Sequence, residues 1–232
     1  MATQAVLKLG RARFGLCNVP PVLYKFFNNP DHAEAFLTRG SLRVGSLYDF
    51  RQVEAHDAAR GDANEGRFDF VHRSAFPELI TLDNASPPLR QWVEQTGTPI
   101  QSSGGSITAQ GSHPDCFVFC VSATPTGGTA AYGSHGIRIA DSTGFYSELT
   151  RHLAKRLRLL KEPHGFAAPC LYREREAVSR TLSACSEVPM AFIKPPEKAS
   201  EREVRAVWFP ASHPIEPFVT RCGDLRSFLS AL

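Results

Sequence analysis

Lys194-Pro195-Pro196-Glu197-Lys198-Ala199-Ser200-Glu201-Arg202-Glu203-Val204-Arg205-Ala206-Val207-Trp208-Phe209 is the stretch whose reading decides the fold. Its second half alternates charged and apolar residues and then becomes wholly apolar, the pattern of a strand running into a core. A period of two predicts Glu201, Glu203 and Arg205 on one face, with Val204, Ala206 and Trp208 pointing the other way into packing. Three charges on one strand face need water, partners or a ligand. A solvated edge strand would carry the same letters. Here, however, Pro195-Pro196 fixes an extended approach, and Lys194 adds a cation at the start of the loop.

Outward from this motif, the most strand-like run is Asp115 to Ser122, apolar on both faces and therefore expected in the middle of a sheet. Val22 to Phe27 reads as a second short apolar strand. Asn29 can cap the helix that follows, Pro30 suits its first position, and Gly40 supplies a left-handed stop after Arg39. A longer helix is expected from Thr143 to Lys161 on the stripe Phe145, Leu149, Leu153, Leu157 and Leu160. Further expected strands are Arg67–His72, one beginning at Ile137 and Ile139, Cys170–Tyr172, Met190–Lys194 and Phe218–Thr220. Further expected helices are Glu174–Cys185 and Asp224–Leu232. Residues 73–112 read as an insertion with a short helix at Leu89–Gln95. The polar loop from Glu54 to Gly66 is long enough to serve a ligand or to be plain surface. The pattern gives an α+β fold in a single domain over residues 1–232, with mixed, mainly antiparallel sheets and flanking helices.

The chain has 232 residues, 42% of them hydrophobic, enough for one sizeable core. A formal charge of +3 comes from 26 basic and 23 acidic residues without a long like-charge run, so neither a nucleic-acid footprint nor a polybasic membrane patch is indicated. Cys17, Cys116, Cys120, Cys170, Cys185 and Cys222 are scattered and lack a metal-site spacing. They read as reduced thiols. With no charged leader and no long apolar run, the expected compartment is the cytoplasm, with no metal and no membrane contact.

Three pieces then fall in order: Leu23-Tyr24-Lys25-Phe26 with its helix and Gly40, Phe119-Cys120-Val121-Ser122-Ala123-Thr124, and Ser200-Glu201-Arg202-Glu203-Val204. Together they resemble the mono-ADP-ribosyltransferase fold of bacterial toxins. In that family a first strand carries an Arg or His for NAD, a second core strand ends in a Ser-Thr-Ser-like triplet, and a late strand begins with Glu-x-Glu or Gln-x-Glu. The chain is also similar to a widespread, largely uncharacterised bacterial family with a Tyr-Lys-Tyr-Arg start, an Asn-Asp-Pro-Phe-Glu-like loop, a His-Tyr or His-Lys-Gly segment, and a Lys, Glu-x-Glu-x-Arg finish. The counterparts here are Tyr24-Lys25-Phe26, Asp62 to Gly66, Tyr132 to Gly136, and Lys194 to Arg205.

The toxin resemblance implies NAD as substrate and a transfer of ADP-ribose to an intracellular macromolecule, protein or nucleic acid. A bacterial toxin or antiphage effector would act in this way, with an inhibitor or defence-system partner. It implies Glu203 as the carboxylate that stabilises the oxocarbenium-like ribose carbon, and Glu201 as the group that orients or deprotonates the acceptor. Ser122 would brace Glu203. Lys25, Arg51 or Arg60 would meet the pyrophosphate, and Tyr24 and Tyr132 complete the expected cofactor-binding set. The sequence departs from the toxin pattern in offering Lys25 where Arg would stand, without the planar fork that grips a phosphate bidentately. Arg205, one strand step from Glu203, is a candidate ion-pair partner for it. Simple NAD hydrolysis, and a non-catalytic nucleotide-sensing or protein-interaction module, stay open beside the transferase reading.

Overall fold

In the computed structural model, which describes residues 4–9, 12–52, 62–74, 78–80, 100–102, 105–126, 133–159, 164–178 and 190–232, the strand of the motif starts at Glu203, later than alternation predicts. Pro196–Glu201 form a 3-10 turn, and Arg202 takes a left-handed backbone with φ of 48°, which interrupts the period of two. From Glu203 onward the alternation holds. Val204, Ala206 and Trp208 enter one apolar cluster, while Val207 packs into another across the strand.

In chain order the first strands are β1 (Gln4–Leu9), β2 (Ala12–Cys17), β3 (Leu23–Phe27) and β4 (Ser41–Ser46). They are followed by β5 (Arg67–Ser74), β6 (Glu78–Ile80), β7 (Ile100–Ser102) and β8 (Gly105–Ser112). Next come β9 (Phe117–Ser122), β10 (His135–Ile139), β11 (Gly165–Pro169), β12 (Leu171–Tyr172) and β13 (Glu176–Val178). The last are β14 (Ile193–Lys194), β15 (Glu203–Trp208), β16 (Phe218–Arg221) and β17 (Leu229–Ala231). Two α-helices are described, α1 (Pro30–Arg39) and α2 (Ser142–Arg156).

The result is an α+β fold, mostly sheet. Its main sheet runs β1-β2-β11-β15-β9-β3-β10-β17, antiparallel except where β11 lies parallel to β2. The strands that carry the three sequence pieces, β15, β9 and β3, are consecutive neighbours at its centre. Opposite β15, the edge of β9 is divided. β3 meets its Ser122 end through Tyr24, and β4 meets its Phe117 end through Gly45 and Ser46. The two strands thus fork away from β9, with Phe119 to Val121 in the crotch. β5, β8 and β13 form a separate three-stranded sheet, and β6 pairs with β7.

Caps and burial fix the helices. In α1 the Asn29 side chain accepts the Asp31 N–H at 2.8 Å, and Gly40 closes the helix at φ 59°. A Cβ on Gly40 would stand 2.0 Å from the Cys222 carbonyl oxygen, so only glycine allows this helix end to dock beside β16. α2 buries Phe145, Tyr146, Leu149 and Leu153 against the sheet. There, Trp208 stacks on Phe14 at 5.5 Å and donates its indole N–H to the Thr150 hydroxyl at 3.0 Å.

Several sequence expectations are corrected. α2 ends at Arg156 rather than Lys161, because Leu157 turns extended and sends the chain to an antiparallel bridge between Leu159 and Pro210. Glu176–Val178, expected in a helix, pair as a strand with β5, and residues 179–189 lie outside the described ones. The expected C-terminal helix is a 3-10 turn, Gly223–Phe228, followed by β17, which pairs with β10. Here an available sheet edge overrides helical spacing. Met190–Phe192 form a 3-10 turn and only Ile193–Lys194 form a strand, paired with β12. The expected helix at Leu89–Gln95 lies outside the described residues. No described helix is long and apolar enough to cross a membrane.

The Thr150 hydroxyl is fully buried with the Trp208 indole as its partner. Thr150→Val keeps the shape, leaves the indole N–H unpaired, and is expected to lower stability by about 1–3 kcal/mol. Urea unfolding of the two proteins measures this directly, and equal midpoints would remove the bond from the account of the core.

Candidate functional site

The central strands bring three expected residues into one row. Tyr24 on β3 is the register partner of Ser122 on β9, and Ser122 is the register partner of Glu203 on β15. Beside this row, a cavity of about 490 Å³ fills the fork between β3 and β4. Its walls include Tyr24, Lys25, Phe119, Ser122 and Glu203, joined by Lys194, Arg205 and Glu65.

A buried set of ionised groups forms one wall. Arg205 is 1% exposed and donates from Nε to Glu203 Oε1 at 2.7 Å and from Nη1 to Glu65 Oε1 at 2.6 Å. It also donates to the Ala191 carbonyl. Lys194 donates to Glu203 Oε2 at 2.8 Å and also to Glu201 Oε2. Lys198 stands 3.7 Å from Glu201 on its other oxygen. The Cys170 thiol lies 3.5 Å from Glu203 Oε1, and the Glu203 N–H donates to the Tyr172 hydroxyl at 2.6 Å. Burial alone would raise the Glu203 carboxyl, but the charges and hydrogen bonds of Arg205 and Lys194 outweigh it and hold the group well below the ordinary carboxylate range. Lys194 responds in the complementary sense: burial lowers it, and the surrounding carboxylates carry it well above its ordinary value.

Each expected site residue has a definite position where it is described. Glu203 lines the cavity, as do Tyr24, Lys25 and Ser122. Lys25 reaches across the fork to the Cys120 carbonyl at 2.8 Å, with its ammonium 5.0 Å from the centre of the Phe119 ring. Ser122 supports the site through the backbone, its hydroxyl donating to the Glu201 carbonyl at 3.2 Å. Glu201 reaches the site from the 3-10 turn, not from the strand, and is not among the residues lining the cavity. Its observed work is to hold Lys194. Arg51 is likewise spent elsewhere, donating to the Glu65 carbonyl at 2.7 Å and to Ser112 Oγ at 2.8 Å while stacking on Tyr48. It positions the loop. Arg60 and Tyr132 lie outside the described residues, as do residues 54–61 of the polar loop, whose remaining part brings Glu65 to the cavity.

Sequence reasoning did not single out Glu65, His32 or Arg43, all of which line the cavity. The charge density of the loop was a signal for Glu65. His32 and Arg43 carried none, because each reads as an ordinary exposed residue of α1 or β4. No group of three or more His, Cys, Asp or Glu placed to hold a metal ion occurs among the described residues. Cys120 also lines the cavity; burial, the largest influence, pushes its thiol up to about 12, so it is a neutral wall and not a nucleophile at physiological pH. No family model matches the chain, and neither a curated protein nor a solved structure matches it.

Two outcomes follow from the ion set. Arg205→Met leaves Glu65 and Glu203 buried without their shared cation and is expected to cost about 3–5 kcal/mol in urea unfolding. Because the Glu203 carboxyl is depressed on folding, its stabilisation is fully present above its unfolded value near 4.5 and is lost as pH falls through the acid range toward its folded value. The stability difference between the parent and Glu203→Gln should therefore be largest near neutrality and shrink below about pH 4.5. A difference that stays constant down to about pH 3 would mean that Glu203 is not held ionised by its neighbours.

Proposed function

We propose that the chain is an NAD-dependent ADP-ribosyltransferase acting on a macromolecular acceptor, with Glu203 as its catalytic carboxylate. The observation that carries the reading is the row Tyr24, Ser122 and Glu203 across three adjacent strands, bordering a cavity of about 490 Å³. Three sequence pieces far apart in the chain meet there, in the order in which the toxin-type family uses them. A cavity of this size falls in the range that accepts cofactor-sized ligands.

In the reaction, the bond between the nicotinamide nitrogen and ribose C1′ breaks and its electron pair neutralises the pyridinium ring. A bond from the acceptor forms at C1′, and the acceptor gives up a proton. Positive charge builds at C1′ as the first bond loosens, and an ionised carboxylate beside it lowers the barrier. Glu203 is ionised and already fixed by Arg205 and Lys194, so little reorientation accompanies the charge change. Lys25, which also lines the cavity, supplies a cation for the pyrophosphate.

The engagement of both Glu203 oxygens favours a second reading, a module that senses a nucleotide without cleaving it, because two adjacent cations diminish the field that the carboxylate presents to C1′. NAD consumption and transfer of radiolabel to protein and to nucleic acid separate the two. The transferase reading expects the parent to consume NAD and folded Glu203→Gln to be slower by about a hundredfold to a thousandfold. Parental rates in that variant would dismiss Glu203 as the catalytic carboxylate. Binding of NAD by the parent without consumption would replace the enzyme with the sensor.

A further inference from the structure

The transferase reaction needs a proton acceptor as well as a carboxylate at C1′, and the residue expected to provide it, Glu201, does not line the cavity and is engaged by two lysines. Among the described residues, two carboxylates line the cavity, Glu203 and Glu65. A general base must present a lone pair to the proton it removes. Glu203 is poorly suited: Oε1 accepts from Arg205 and faces the Cys170 thiol, and Oε2 accepts from Lys194. Its strongly favoured ionised form makes it an electrostatic stabiliser and a weak base.

Glu65 is arranged differently. Among the described residues, Arg205 is the one side chain hydrogen-bonded to its carboxylate, through Oε1, which leaves the second oxygen without a hydrogen bond from them in a side chain that lines the cavity. The segment that carries it is fastened at several points. Arg51 binds the Glu65 carbonyl, the Glu65 N–H donates to the Asp62 carbonyl at 2.9 Å, and Asp62 is paired with Arg175. Gly66 turns the chain at φ 65°, where a Cβ would stand 2.6 Å from Leu47 Cδ2. This glycine lets the backbone close over Leu47 and deliver Glu65 to Arg205.

Resting on the NAD reading above, we propose that Glu65 is the general base of the reaction, and that the acceptor group is a hydroxyl lying between it and C1′. Arg205 then has a positioning role, setting both carboxylates on one guanidinium. The acceptor oxygen forms the bond to C1′ as the nicotinamide nitrogen leaves with its electron pair. The acceptor proton passes to the Glu65 carboxylate and from there to solvent. NAD and R–OH thus give nicotinamide, the ADP-ribosylated oxygen and one proton.

The test uses the full chain with radiolabelled NAD, measuring NAD binding, nicotinamide release against pH, and label transfer. Glu65→Gln retains an oxygen for Arg205 and removes the base, so a purely structural role would survive it. The expected result is a loss of about a hundredfold to ten-thousandfold in turnover with unchanged NAD affinity. Glu65→Ala is expected to recover turnover with added formate, which supplies a carboxylate to the vacated space. Turnover and a pH profile in Glu65→Gln matching the parent would overturn the base role while leaving the NAD reading intact. Loss of NAD binding in Glu65→Gln, or no formate recovery in folded Glu65→Ala, would also overturn it. Failure of the parent to cleave NAD would remove the NAD reading and this role together.

Discussion

A single buried guanidinium holds this structure's centre. Arg205 has lost nearly all contact with water, and the cost of that desolvation is offset only because two carboxylates and a backbone carbonyl meet it. One carboxylate comes from its own strand and the other from the loop that precedes β5. Lys194 extends the set, joining Glu203 to Glu201 and so tying the turn before β15 to the strand itself. The cavity wall is stiff for this reason, since moving any one of these groups strands another in a medium that screens charge poorly.

The fork in the sheet supplies the space that this wall encloses. Had β3 paired along the whole of β9, the backbone of Phe119 to Val121 would have been covered and the central strands would have closed over the site. Instead β3 and β4 share β9 between them, and Lys25 bridges the gap to the Cys120 carbonyl. Backbone polar groups at a split edge need partners, and a long cationic side chain provides one while still bordering the cavity. The architecture and the chemistry of the site are therefore the same feature seen at two scales.

What the sequence disclosed divides along local and distant causes. The alternation from Glu203 to Trp208, the doubly apolar run ending at Ser122, the Asn29 cap and Gly40 all depend on neighbours a few residues away, and each was legible. Glu201 misled because Glu-x-Glu imitates strand alternation, and only the left-handed Arg202 reveals that a turn lies between the two carboxylates. Glu65 and Arg51 depend on partners that no local pattern contains. The length and charges of the polar loop left a ligand and plain surface equally open, and which of its residues would reach the cavity was decided by Arg205. The strand at Leu229–Ala231 was hidden for a related reason, as its helical spacing is real but the edge of β10 is the stronger partner.

The spacing of these partners along the chain also bears on how the molecule comes into being. Lys25 meets Cys120 across 95 residues, and Arg205 meets Glu65 across 140. Contacts of such separation form late, after the entropy of closing large loops has been overcome. During synthesis β3, β4 and β9 all emerge before β15, and Glu65 has no guanidinium until β15 leaves the ribosome. A growing chain is accordingly a scaffold without a site, and any chemistry housed there begins only when the last central strand slides into place.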